Sequence, residues 1–358
     1  MAARIAKVLH GVHSIQDLTT DHISALQDTD VGRFAIPKFK VTPSEFSAWE
    51  ASNNAQGCEY DAQSESLIIH ADHCVLHENL KYEFSWWLAA VSREVEKRHG
   101  YQRFQSVTRP ILATKLSGPF EHSTKYPNAV LRKARERYPT VVIEIGLSEP
   151  RGKLFQDANR WLQGTEGHTR VVIIAELQEI FPSGRSLVKG EPGTEFPYNF
   201  KEEDLDGIDG LELGLSRKIM KWHKEQNQPL TGDIVAHIYI CRPAQRPRKV
   251  LRYNIYQDKP GESAYNSDQA FISMSELVND PIQQQVENID IAYESEDEQS
   301  YVGQKLGFND DDKIPLPLDE VTARIVECLG IHREERARKR AKFILARFNS
   351  ARKTEDGA

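Results

Sequence analysis

With 358 residues, 39% of them hydrophobic, the chain is long enough for one large domain or two ordinary ones. A formal charge of −7 excludes a generic polyanion binder, so any nucleic-acid surface must be local. No apolar run is long enough to cross a bilayer, so no membrane partner is expected, and MAARIAKVLHGVHS lacks the apolar centre of a secretory signal. The four cysteines, Cys58, Cys74, Cys241 and Cys328, form no CxxC pair. They read as reduced thiols of an intracellular protein, nuclear or cytoplasmic.

In chain order, residues 1–41 read as an N-terminal arm, with a short helix over Ile15 to Gln27 and an extended stretch over Arg33 to Val41. Thr42-Pro43-Ser44-Glu45 is a helix start, with Thr42 as cap and Pro43 in the first turn, and it sends Phe46 and Trp49 inward. Leu67 to Ile69 predicts a strand and Asp72 to His77 a turn. From His77 to His99 the residues Leu80, Phe84, Trp87, Leu88, Val91 and Val95 recur near period 3.6, which predicts a long amphipathic helix. One or two strands follow over Gln105 to Leu116.

The organising stretch is Arg137 to Leu162. The β-branched run Thr140 to Ile143 predicts a buried strand that ends in the carboxylate Glu144. After a turn, Gly152 to Leu162 carries Leu154, Ala158, Trp161 and Leu162 on one helical face, and Arg170 to Ala175 predicts a second buried strand. Strand, helix and strand at this spacing imply a crossover and a parallel pair. A carboxylate at the end of a buried strand needs a partner.

Further on, Phe181 to Ile208 predicts a surface excursion, Leu213 to Gln226 a helix, and Asp233 to Cys241 with Val250 to Gln257 two strands around the basic loop RPAQRPRK. The acidic runs YESEDEQSY and FNDDDK read as a linker. Leu316 to Leu329 predicts a helix closed by Gly330, followed by the basic element Ile331 to Lys353. Domains are therefore expected at 1–41 (arm), 42–260 (α/β domain with an insertion about 181–230), 261–315 (acidic linker) and 316–358 (basic helical segment).

The segments LIIHADHCVLHE, KYPNAVL, VVIEIGLSE, LFQDANRWL and VVIIAEL occur in this order, and together they resemble the PD-(D/E)XK nuclease superfamily, close to its restriction-endonuclease-like members. The resemblance spans about Pro43 to Glu176. It implies an α/β fold with a restriction-endonuclease-like core, a mixed sheet flanked by helices, here with a C-terminal helical extension. It implies an endonuclease-type phosphodiesterase that acts on nucleic acid with Mg²⁺ or Mn²⁺, and it allows a homodimer. Carried onto this chain, Glu144 and Asn128 would ligate the metal, while His77 and Lys153 would complete the catalytic set. Such a cation polarises the phosphate and activates water.

Two positions depart from the motif. Asn128 stands where an Asp is usual, which removes one unit of ligand charge, and Gly146 stands where the lysine is usual. The same residues therefore also fit a catalytically inactive nuclease fold retained for binding nucleic acid or protein. A third reading, an interaction scaffold, rests on the acidic linker and terminal helix. In that helix Arg336, Arg338, Lys339, Arg340 and Lys342 read as a solvated face or as a nucleic-acid or import patch, with a partner-binding helix as the third reading. His70, His73, Cys74 and His77 invite a zinc reading, which the adjacency of His73 and Cys74 fits poorly.

Overall fold

The structure is a computed structural model that describes residues 2–27, 33–36, 38–53, 57–70, 74–99, 104–107, 113–180, 211–225, 230–256, 261–265, 270–278 and 313–355. The first part comprises α1 (Ala2–Val8), α2 (Thr20–Gln27), β1 (Arg33–Ala35), α3 (Pro43–Ser52), β2 (Cys58–Asp61) and β3 (Ser66–His70). The middle runs through α4 (Val75–His99), β4 (Phe104–Val107), β5 (Thr114–Lys115), β6 (Thr124–Lys125), β7 (Ala129–Lys133), β8 (Val141–Leu147), α5 (Arg151–Gln163) and β9 (Val171–Ile180). It continues with α6 (Leu211–Glu225), β10 (Asp233–Cys241), β11 (Arg248–Ile255), β12 (Glu262–Tyr265), β13 (Phe271–Ser273), α7 (Met274–Val278), β14 (Lys313–Pro315) and α8 (Leu318–Glu355).

The fold is mixed α/β, with sheets flanked by helices. The main sheet has seven strands in the order β12-β11-β10-β9-β8-β7-β4. Its β8–β9 pair is parallel, as the expected crossover through α5 requires, and the other pairs are antiparallel. Strand alternation sorts the side chains between two cores. Ile143, Ile173, Ala175 and Ile238 face α4 and α8, where they meet Leu80, Phe84, Leu88, Val321 and Ile325. Val142, Val172, Ile174 and Tyr239 face the other way and meet Leu154, Ala158 and Trp161 of α5. Each such large apolar side chain gains about 1.5–3 kcal/mol from burial. Ser148 turns the chain out of β8 with a left-handed φ of 58°.

The N-terminal residues are more than an extended arm. Leu9, Val12, Ile15, Leu18, Ile23 and Leu26 form one core with Phe46, Trp49, Tyr60 and Ile69. Trp49 Nε1 donates to Leu18 O at 3.1 Å. The Thr42 cap forms as the sequence predicts, with Thr42 N donating to Glu45 Oε2 at 2.8 Å. A second sheet, in the order β1-β3-β2-β6-β5, covers this core. Its β5 and β6 come from the chain between β4 and β7, so the main sheet lends two strands to the N-terminal one.

Several boundaries move. The first long helix starts at Val75 instead of His77, and β9 runs five residues past Ala175. The span 261–315 holds β12, β13, α7 and β14 among its described residues, so it is not linker throughout. The run YESEDEQSY and residues 181–210 of the expected insertion lie outside the described residues. Gly330 does not end a helix, because α8 continues through it to Glu355. The helix is held from outside: Ala337 and Ala341 pack against Leu215 and Ile219 of α6, and Ile325 lies in the main core. Tertiary packing of this kind overrides a weak local preference.

Gly330 is exposed, and a Cβ added there would meet nothing within 4 Å. Gly330→Ala is therefore expected to stabilise the protein by about 0.5–1 kcal/mol. Urea unfolding should show a higher midpoint at constant slope, and a lower midpoint would contradict the continuous helix.

Candidate functional site

Glu144 sits on the α5 face of β8 and is 4% exposed. Trp161 Nε1 donates to its Oε1 at 2.5 Å. Beside it lies Lys125 of β6, 1% exposed, which reaches across from the N-terminal sheet. Its Nζ is 3.0 Å from Asp157 Oδ1, 3.6 Å from Glu59 Oε2 and 4.0 Å from Glu144 Oε1. Glu59 Oε1 also accepts the Tyr126 N–H at 2.8 Å and lies 3.1 Å from His70 Nε2. Arg160 of α5 extends the network, donating to Asp61 at 2.5 Å and reaching Asp157 at 3.4 Å. Charges this deep are tolerated only when they are paired and hydrogen-bonded.

The other expected site residues serve different neighbours. Asn128 Oδ1 accepts the Ile145 N–H at 2.6 Å, and its Nδ2 lies 3.1 Å from His77 Nε2 on α4, the helix that packs against the opposite face of the sheet from α5. Asn128 and His77 thus meet each other, while Glu144 meets Trp161 and Lys125. Lys153 Nζ is 3.3 Å from Glu149, one helical turn back. At Gly146 an added Cβ would lie 2.7 Å from Leu154 Cδ1, so α5 fills the space that a lysine there would need.

Of the basic residues on α8, Arg336 binds Glu179, Lys339 lies 3.8 Å from Glu335, Arg340 is 2.7 Å from His223 Nε2, and Lys342 is 3.8 Å from Glu212. Arg338 is exposed. Most of this charge pairs with acids or a histidine of the same chain.

Sequence reasoning missed a second polar column, on the same sheet face but beyond the end of α5. Glu176 of β9 is fully buried. Arg151 Nε donates to it at 2.8 Å, Gln178 Nε2 at 2.6 Å and the Tyr239 hydroxyl at 3.3 Å, and His237 Nδ1 lies 3.3 Å away. The register pairs Glu176 with His237, His237 with Arg252 and Tyr239 with Lys249, so all of them share one face. Lys249 Nζ sits 5.7 Å from the centre of the Tyr239 ring. Burial lowers the His237 pKa, and Lys249, Arg151 and Arg252 lower it further against the opposing pull of Glu176. Burial, followed by Glu176, pushes the Tyr239 hydroxyl up to about 12. Among the described residues Arg246, Arg248, Lys249 and Arg252 pair with no carboxylate, and all four are exposed. The available signal was the concentration of basic residues, Arg246, Arg248, Lys249 and Arg252, in a turn and the strand that follows it.

Compared with known proteins, the chain matches no family model and no curated sequence.

Removing the Lys125 ammonium would strand buried carboxylates from three elements. Lys125→Met is expected to cost about 3–5 kcal/mol. Gly146→Lys, which rebuilds the usual motif on paper, is expected to destabilise by about 1–3 kcal/mol through overpacking against Leu154. Denaturant midpoints of the two variants check both; a neutral Lys125→Met would mean that the cluster is solvated.

Proposed function

We propose that this chain is a nuclease-fold protein that binds nucleic acid through the basic face of β10 and β11 and does not cleave it. The observation that carries the proposal is the placement of Lys125: its ammonium lies among Glu59, Glu144 and Asp157, where a catalytic cation would be needed. The order of α4, the antiparallel meander β4-β7-β8, the crossover α5 and the parallel strand β9 supports the nuclease-like reading. A hard divalent ion needs several converging oxygen donors. Glu144 and Asn128 do not fit that need, since one serves α5 and Lys125 while the other is bonded to Ile145 and His77. Among the described residues no set of three His, Cys, Asp or Glu side chains that includes Glu144 brings its ligand atoms within 4.8 Å of one another.

The binding half rests on local charge. Arg151, Lys249 and Arg252 share a face, and Arg246 and Arg248 are exposed close by in the chain, whose net charge is −7. Such a stripe neutralises phosphates irrespective of base sequence. Catalysis by Mg²⁺ or Mn²⁺, the rival reading, predicts chelator-sensitive cleavage.

Fluorescence anisotropy with labelled DNA and RNA tests the proposal. Binding is expected to be insensitive to chelator and steeply salt-dependent, and Lys249→Ala and Arg252→Ala should each reduce the salt slope by about 1. Phosphates near Lys249, Arg151 and Arg252 oppose the field that holds the His237 pKa down. Its pKa is then higher in the complex than in the free protein, so binding takes up a proton. Affinity should rise as pH falls from about 7 to about 5.5, and His237→Gln should flatten that rise. Cleavage that needs Mg²⁺ and disappears in Glu144→Gln would overturn the non-catalytic half; absence of binding at low salt would overturn the other.

A further inference from the structure

We infer that Cys74, His332 and Glu335 form a zinc site that fastens the C-terminal helix to the start of α4. These residues come from two distant parts of the chain. Cys74 directly precedes α4, while His332 and Glu335 stand three apart on α8 and so share one helical face. Their ligand atoms (one thiol sulfur, one imidazole nitrogen and one carboxylate oxygen) all lie within 4.8 Å of one another. His332 is 3% exposed, whereas Cys74 and Glu335 are half-buried, which leaves an entry path from solvent. The Val75 N–H donates to Glu335 Oε2 at 3.1 Å and so holds the start of α4 against α8 independently of any ion. His332 Nδ1 lies 4.0 Å from the same oxygen.

The donor chemistry selects the metal. Thiolate and imidazole favour zinc over the hard ions that all-oxygen sites take. Zinc bonds of about 2.0–2.3 Å require the three donors to draw in by roughly 1 Å, a shift available to side chains on a loop end and a helix. Coordination replaces the Cys74 S–H bond by a sulfur–zinc bond and releases the proton to solvent. Three protein ligands leave the fourth position to water. Lys339 Nζ, 3.8 Å from Glu335 Oε1, has to swing outward, and its side chain is 37% exposed. The site uses neither His73 nor His77, so it differs from the contiguous cluster that the sequence suggests.

The test is a titration of the purified, metal-stripped full chain with Co²⁺, followed by displacement with Zn²⁺. The expected result is one equivalent bound, with tetrahedral ligand-field bands and a sulfur-to-cobalt charge-transfer band, both lost on adding zinc. The charge-transfer band should vanish in Cys74→Ser, and His332→Gln should weaken binding by more than the roughly 10–100-fold typical of an outer-shell change. Zinc should also raise the melting temperature of the parent protein and shield Cys74 from alkylation, read by peptide mass mapping, which needs no variant to fold. Absence of cobalt binding, a thiolate band that survives in Cys74→Ser, or unchanged alkylation of Cys74 with zinc present would each overturn the inference.

Discussion

The architecture depends on one buried ammonium. Lys125 belongs to β6, a two-residue strand of the N-terminal sheet, yet its charge is spent on Asp157 of α5 and Glu144 of β8 as well as on Glu59 of β2. Those contacts join the two sheets at a point where neither can be shifted without exposing a carboxylate to a dry interior. Apolar packing tolerates slippage by a few tenths of an ångström; a buried charge set does not. The detour of the chain through β5 and β6 between β4 and β7 is what delivers the lysine.

The same face of the main sheet changes character along its width. Beneath α5 it is apolar, and the crossover helix closes over Glu144. Past the end of α5 it becomes polar: Glu176 is buried under Arg151, Tyr239 and His237, and the outer strand β11 presents Lys249 and Arg252. One buried carboxylate thus anchors a surface that is otherwise basic. The negative net charge does not cancel this, because screening beyond about 10 Å leaves the stripe positive in its own surroundings.

The long C-terminal helix acts as a strut rather than as a free basic tail. Its apolar side chains lie against α4 and the main sheet near its start and against α6 further on, and its cations pair with Glu179, Glu212 and His223 on the other elements. The positive charge that looked available for a partner is largely used to dock the helix. Cys74 and Glu335, brought together by that docking, are 261 positions apart in the chain.

By itself the sequence determined the local elements whose cause is local. The period of Leu80, Phe84, Leu88 and Val91 made α4, the Thr42 and Glu45 pair made the start of α3, and the β-branched runs around Glu144 and Ala175 made a parallel pair joined by α5. It also marked Glu144 as a carboxylate that needed a partner. Its hydrogen-bond donor, Trp161, lies on the helical face that the sequence marked, but the charged partner was not legible, because Lys125 lies 19 positions away on a strand too short to carry a pattern. Glu176 hid inside an apolar run for a similar reason: its face is defined only by the register with His237. Gly330 misled because a glycine costs a helix only about 1 kcal/mol, less than the packing of α8 on its neighbours returns. Tertiary structure decided each of these points, since a charge cluster, a cross-strand column and a docked helix all depend on which distant residues share a face, and no window of sequence contains both sides of that contact.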